Sequence, residues 1–126
     1  MEFKNNKGIF LQIADNISEK VMEGKYIHGE KIPSVRDLAL EMGVNPNTVM
    51  RTYSELQSRG IIDNKRGVGY YVSNDAIAII RQWKKREFFE NDLPLILRQT
   101  RILDISYDDL KPYFDNTNNS DKNENK

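Results

Sequence analysis

The stretch GVNPNTVMRTYSELQSRG, residues 43–60, carries a helix together with its own punctuation. Gly43 provides a turn, Asn45 is a good N-cap, and Pro46 falls at the first helical position, where its missing N–H costs nothing and its fixed φ suits a helix. Val49, Tyr53 and Leu56 recur at helical spacing and predict a buried face, and Gly60 supplies the stop. On the opposite side Asn47, Arg51, Ser54 and Ser58 fall at i, i+4, i+7 and i+11. That side is polar, mostly short-chained, and carries one long cation.

Just upstream lies a second framed helix. Ser34 can accept from the N–H of Asp37, whose carboxylate can reach back to the cap, and Pro33 closes the preceding chain. Val35, Leu38, Ala39 and Met42 then form one apolar face. Two short helices joined by a tight glycine-containing turn make a helix-turn-helix unit. Before it, Phe10, Ile13, Ala14, Ile17 and Val21 predict a first helix over 9–23, followed by a loop or short extended piece at 25–32 that holds the single histidine, His28.

Downstream, IIDNKRGVGYYV reads as a hairpin over 61–72, with β-formers at both ends, turn chemistry between Asn64 and Gly69, and Lys65 and Arg66 at the tip. A helix-turn-helix followed by a basic-tipped hairpin is a winged arrangement. The expected fold class is therefore mainly α with a small β-hairpin: a winged helix-turn-helix domain over residues 1–73 and a short helical C-terminal region.

Composition limits what such a chain can do. The 126 residues hold 19 basic and 19 acidic side chains, no cysteine and one histidine. Disulfides, thiolate nucleophiles and the usual cysteine-histidine zinc sites are excluded. A polyanion would have to be met by a few placed cations rather than by a field. Neither an apolar run of roughly 18 residues nor a secretory leader pattern occurs, so a cytoplasmic protein with no membrane partner is expected. Asp104, Asp108 and Asp109 cluster, but a capping box from Ser106 to Asp109 and a solvated acidic turn account for them without catalysis. An enzyme is not expected, and neither is a cofactor or a metal; a winged module serving only protein assembly is the competing class.

The helix over 46–58 suits a major groove about 12 Å wide, where arginine pairs bidentately with guanine and asparagine with adenine. Arg51 and Asn47 are the candidate base readers, with Ser54 on the same face. Ser34 and Thr48 lie near helix N-termini and are placed to bind phosphate beside free backbone N–H groups, with Arg36 as the adjacent cation. Lys65, Arg66, Gly67 and Gly69 form the candidate wing contact.

Residues 9–72 resemble the winged domain of the GntR family of bacterial transcription regulators. The resemblance rests on Gln12 and Ile13, on Gly29, Pro33, Ser34, Arg36, Leu38 and Ala39, on Val44, Asn47, Thr48, Val49, Leu56 and Gly60, and on Gly67, Gly69 and Val72 at the wing. It implies that Arg36, Asn47, Thr48 and Arg51 approach double-stranded operator DNA while the wing glycines admit the hairpin to the minor groove. Pro46 departs from the commonest pattern, which has an arginine there, and is similar instead to the YtrA-like subgroup. That subgroup implies a short tail used for dimerisation, and repression that often falls on transporter operons. The resemblance points to no particular small-molecule effector.

The tail pattern agrees with that expectation. Over 75–90, Ala76, Ile80 and Trp83 form a stripe that Ile77 and Ile79 widen. Asp92 is expected to cap a further helix running to Leu103, with Leu93, Leu97, Thr100 and Leu103 inward, and a last short helix ends near Phe114. Residues 74–115 are thus expected to form a homodimer through Ile77, Ile79, Ile80, Trp83, Leu93, Leu97 and Leu103. Residues 116–126 have no apolar side chain and are expected to be disordered.

Overall fold

A computed structural model describes residues 8–124, with side-chain environments through Asn116. Helix α1 spans Ile9–Met22, α2 Val35–Met42 and α3 Pro46–Ser58, followed by strands β1, Ile62–Lys65, and β2, Gly69–Val72, and then by α4, Ala76–Glu87. The fold class is the expected one, mainly α with one antiparallel hairpin. The local signals act where they lie: Ser34 Oγ accepts from the Asp37 N–H at 3.1 Å, and Asn45 Oδ1 accepts from the Asn47 N–H at 2.8 Å with Pro46 in the first turn.

One compact unit ends at Lys84 and a second begins at Lys85. The core of the first joins Ile13, Ala14, Ile17 and Val21 of α1 to Leu38 and Ala39 of α2, to Val49, Tyr53 and Leu56 of α3, and to Ile61, Ile62 and Val72 of the hairpin. Ala76, Ile80 and Trp83 of α4 complete it. Ile80 and Trp83 are only 1% and 8% exposed, which corrects their expected place in a dimer contact: the domain's own core consumes them. Helical periodicity reports that a face is buried, not which molecule buries it. Tyr53, fully buried, donates its hydroxyl hydrogen to the Pro33 carbonyl at 2.6 Å and packs edge-on against Tyr70, so the entry to α2 is tied to α3.

The segment before α2 is an extended piece that pairs with β2. The Ile32 N–H donates to the Tyr70 carbonyl, the Val72 N–H to the Glu30 carbonyl, and Lys31 bridges Tyr71. The wing sheet thus has a short third edge.

In the second unit the last turn of α4 passes through a π-helical turn, Phe88–Asp92, directly into α5, Leu93–Ile102. Asp92 is therefore helical and caps nothing, contrary to expectation. Pro94 explains the change: its ring cannot accept the carbonyl four residues back, and the backbone widens so that the Leu93 N–H reaches Phe88. Asp104, at φ 56°, closes α5 in the left-handed conformation, with the Ile105 N–H on the Thr100 carbonyl at 2.8 Å. Replacing Asp104 with glycine should stabilise the full chain by up to about 1 kcal/mol, read as a higher denaturant midpoint, because glycine adopts that φ without a Cβ penalty.

Helix α6, Tyr107–Glu124, begins with the reciprocal cap expected of its sequence: Ser106 Oγ accepts from the Asp109 N–H at 3.2 Å, and Asp109 Oδ2 from the Ser106 N–H at 2.9 Å. It runs on past Phe114 to Glu124, where disorder is expected from Asn116; residues 125–126 lie outside the described residues. After Pro112 no proline or glycine interrupts the helix, so it propagates into the polar segment.

Candidate nucleic-acid interface

Burial of Val49, Tyr53 and Leu56 leaves the other side of α3 in solvent. Asn47, Arg51, Ser54 and Ser58 are all exposed, as their spacing requires. Met50 and Gln57 are exposed beside them, so the face is broader and less uniformly polar than the four residues suggest. Met50, 53% exposed, offers an apolar surface of the kind that meets a thymine methyl group. Its place three residues after Asn47 is the sequence signal that marks it.

Donors at the start of α3 are arranged differently from the expectation. The Asn47 N–H is taken by Asn45 Oδ1, the Thr48 N–H by the Asn45 carbonyl at 3.0 Å, and Pro46 has none. A phosphate at this end would meet side chains, not free backbone N–H groups. Thr48 is half-buried, and its carbonyl accepts from the Thr52 hydroxyl at 2.9 Å. At α2 the Ser34 cap satisfies Asp37, and the first two helical N–H groups, those of Val35 and Arg36, which have no partner within a helix, meet no acceptor among the described residues and so suit an anion. Ser34 and Arg36 are both exposed there.

The wing turn is built on one backbone requirement. Val68 donates to the Lys65 carbonyl at 2.9 Å across Arg66 and Gly67, and Gly67 has φ 78°, the condition for a type II turn. Arg66 is the cation at the tip. Lys65 belongs to β1 opposite Gly69, and its ammonium lies 4.4 Å from the Tyr71 ring centroid, back from the tip where the sequence places it. Gly69, at φ 136°, lets another cation pass: a Cβ there would come within 2.7 Å of Lys31 Cε. Lys31 is thereby drawn to the wing, a contact that no local pattern around residue 31 announces.

The remaining expected contacts lie elsewhere. Ile77 is exposed and Ile79 packs partly against the first unit's core, while in the second unit Leu93 is half-buried and Leu97 and Leu103 are exposed. None of residues 85–116 is buried. Among the described residues no group of three or more histidine, aspartate or glutamate side chains could hold a metal ion, and no helix is long and apolar enough to cross a membrane.

Known proteins resemble this chain in sequence and fold. The chain is 43% identical over 75 residues to the HTH-type transcriptional regulator YhcF of Bacillus subtilis (strain 168), a match covering 60% of this chain and 62% of that protein. It is 35% identical over 106 residues to the HTH-type transcriptional repressor YtrA of the same organism, covering 82% of this chain and 75% of that one. The crystal structure of a GntR-family regulator from Bacteroides thetaiotaomicron superposes with a TM-score of 0.77 at 37% identity, over 90% of this chain and 99% of that chain. AraR(DBD), solved in complex with operator ORR3, matches 58% of this chain and 95% of its own with a TM-score of 0.50 at 25% identity. Residues 10–72 match the family model described as bacterial regulatory proteins, gntR family, and the chain belongs to that family.

Proposed function

We propose that this protein is a sequence-specific DNA-binding transcription regulator, a repressor of the YtrA-like kind, that binds an inverted-repeat operator as a homodimer in the cytoplasm. The observation that carries this reading is the α3 face, where Asn47, Arg51 and Ser54 are exposed in line on a helix whose other side is locked into the core. Arg51 and Asn47 read base edges, while Ser34, Arg36 and Thr48 hold phosphates. Lys65 and Arg66 bring the wing to the backbone, with Gly67 and Gly69 shaping its approach. The YtrA-like assignment is supported by a match to that repressor extending beyond the winged domain, and by Pro46 at the first position of α3.

Dimerisation accounts for the second unit. Leu95, Leu97, Ile102, Leu103, Tyr113 and Phe114 all stand exposed there, and a helical segment with no buried residue has apolar surface to cover. A second copy covers it symmetrically and sets two winged domains about one helical turn, roughly 34–36 Å, apart. The regulated genes are then of the kind the subgroup often controls, transporter operons. Selection of bound duplexes from a random pool tests the reading: it should return an inverted repeat. Arg51→Ala should then flatten the preference at one base pair per half-site, a loss of about 1–3 kcal/mol of discrimination. Equal weakening on selected and random DNA would make Arg51 a phosphate contact instead.

A further inference from the structure

A base-reading arginine has to arrive with its donor edge already aimed. Arg51 is exposed and long, yet its guanidinium carbon lies 3.7 Å from the centroid of the Phe10 ring, in the first turn of α1. At that distance the cation sits on the π face of the ring. A guanidinium that lies parallel to such a ring uses its flat face there and keeps its N–H edge, the edge that pairs with guanine O6 and N7, free for a base.

One further contact fixes the backbone that carries the ring, and a glycine leaves the ring room. The Thr52 hydroxyl donates to the Phe10 carbonyl at 2.9 Å, pinning the backbone of Phe10 to the residue of α3 that follows Arg51. Gly8 leaves room beside the ring, since a Cβ there would come within 3.3 Å of Phe10 Cδ1 and Cε1. Phe10 is itself only half-buried, so its ring is not fully spent on the core.

We propose that Phe10 is a positioning residue for base recognition: its ring holds the Arg51 guanidinium flat and presents the donor edge to a guanine, so that α1 takes part in specificity through α3. The proposal rests on Arg51 reading a base. Without the ring, the side chain must be immobilised when DNA binds, at a cost of about 0.5–1.5 kcal/mol, which converts to a loss of about 2–13-fold in affinity for the cognate site. Random DNA, which makes no base-specific contact, is not affected in the same way.

The test uses the full chain and three duplexes: the selected operator, the operator changed at the base pair that Arg51→Ala ceases to distinguish, and a random sequence. Phe10→Leu, which keeps apolar volume and loses the π face, should weaken operator binding by about 2–13-fold, leave random binding unchanged, and shrink the penalty for the changed base pair. Phe10→Tyr should restore all three values, and Phe10→Leu should add nothing in an Arg51→Ala background. Equal weakening on all duplexes, or the same loss with and without Arg51, would overturn the role of Phe10 while leaving Arg51 as a reader. If Arg51→Ala leaves the base preference intact, both readings fall. An arm independent of mutant folding is the NMR spectrum of the free protein, where the Arg51 Nε–H should be shifted upfield by the ring current; an ordinary arginine shift would also overturn the proposal.

Discussion

A chain that ends after Lys84 should fold, sediment as a monomer, and lose about 10²–10⁴-fold in affinity for a palindromic operator while binding a single half-site nearly as well as the full chain does. The first compact unit ends at that residue, and its core includes Ala76, Ile80 and Trp83. A chain cut after Ser73, the boundary expected from the sequence, should behave quite differently. It loses those three side chains, and deleting one large buried residue already costs about 3–5 kcal/mol, against a total stability of about 5–15 kcal/mol for a domain. Circular dichroism should show the shorter chain largely unfolded. A chain ending at Lys84 that stays dimeric would refute the role proposed for residues 85–124. A full-length chain that is monomeric at micromolar concentration and binds palindrome and half-site equally would do the same.

Tyr53 should be the single most damaging position in the winged domain. Tyr53→Ala empties a fully buried ring site between α3, the wing and the entry to α2, and should cost about 3–5 kcal/mol. Tyr53→Phe keeps the packing and leaves the Pro33 carbonyl without its donor, a loss of about 1 kcal/mol. Burial pushes the phenol's pKa well above its usual value, and Tyr26 and Tyr70 add to the shift. The folded state therefore holds this proton more tightly than the unfolded chain. The stability it contributes is fully present below about pH 10, the ordinary tyrosine value, and is lost progressively as pH rises above it. Denaturant midpoints of the wild type and Tyr53→Phe measured from pH 8 to 11 should converge in the alkaline range. A constant gap would mean that the phenol ionises as freely in the folded protein as in the unfolded one.

What the sequence made legible was whatever could be settled within one turn of chain. The caps at Ser34, Asn45 and Ser106, the first-turn Pro46 and the glycine turn of the wing act on neighbours no more than a few residues away, and each stands where its pattern puts it. The outward face of α3 followed because the residues beneath it declared themselves as core. Tertiary choices were not legible. Ile80 and Trp83 look alike whether they cover their own domain or a partner's, and Asp92 looks like a cap until Pro94 opens the turn around it. Phe10 belongs to the apolar stripe of α1 by spacing, and only the approach of α3 brings Arg51 over its ring. Lys31 is similar, since the contact that matters is with Gly69, far along the chain.

The pairing of residues 30–32 with β2 has a further consequence, for solubility. It puts β2 in the middle of the sheet and leaves β1, among the described residues, as its longer open rim, a row of backbone groups that could template a strand from another molecule. After Ile62 that rim consists of Asp63, Asn64 and Lys65, all in solvent, and it is only four residues long. Charge of both signs and short length discourage edge-to-edge stacking. The hairpin can therefore stand open on this side without becoming a nucleus for aggregation when the protein accumulates at high concentration.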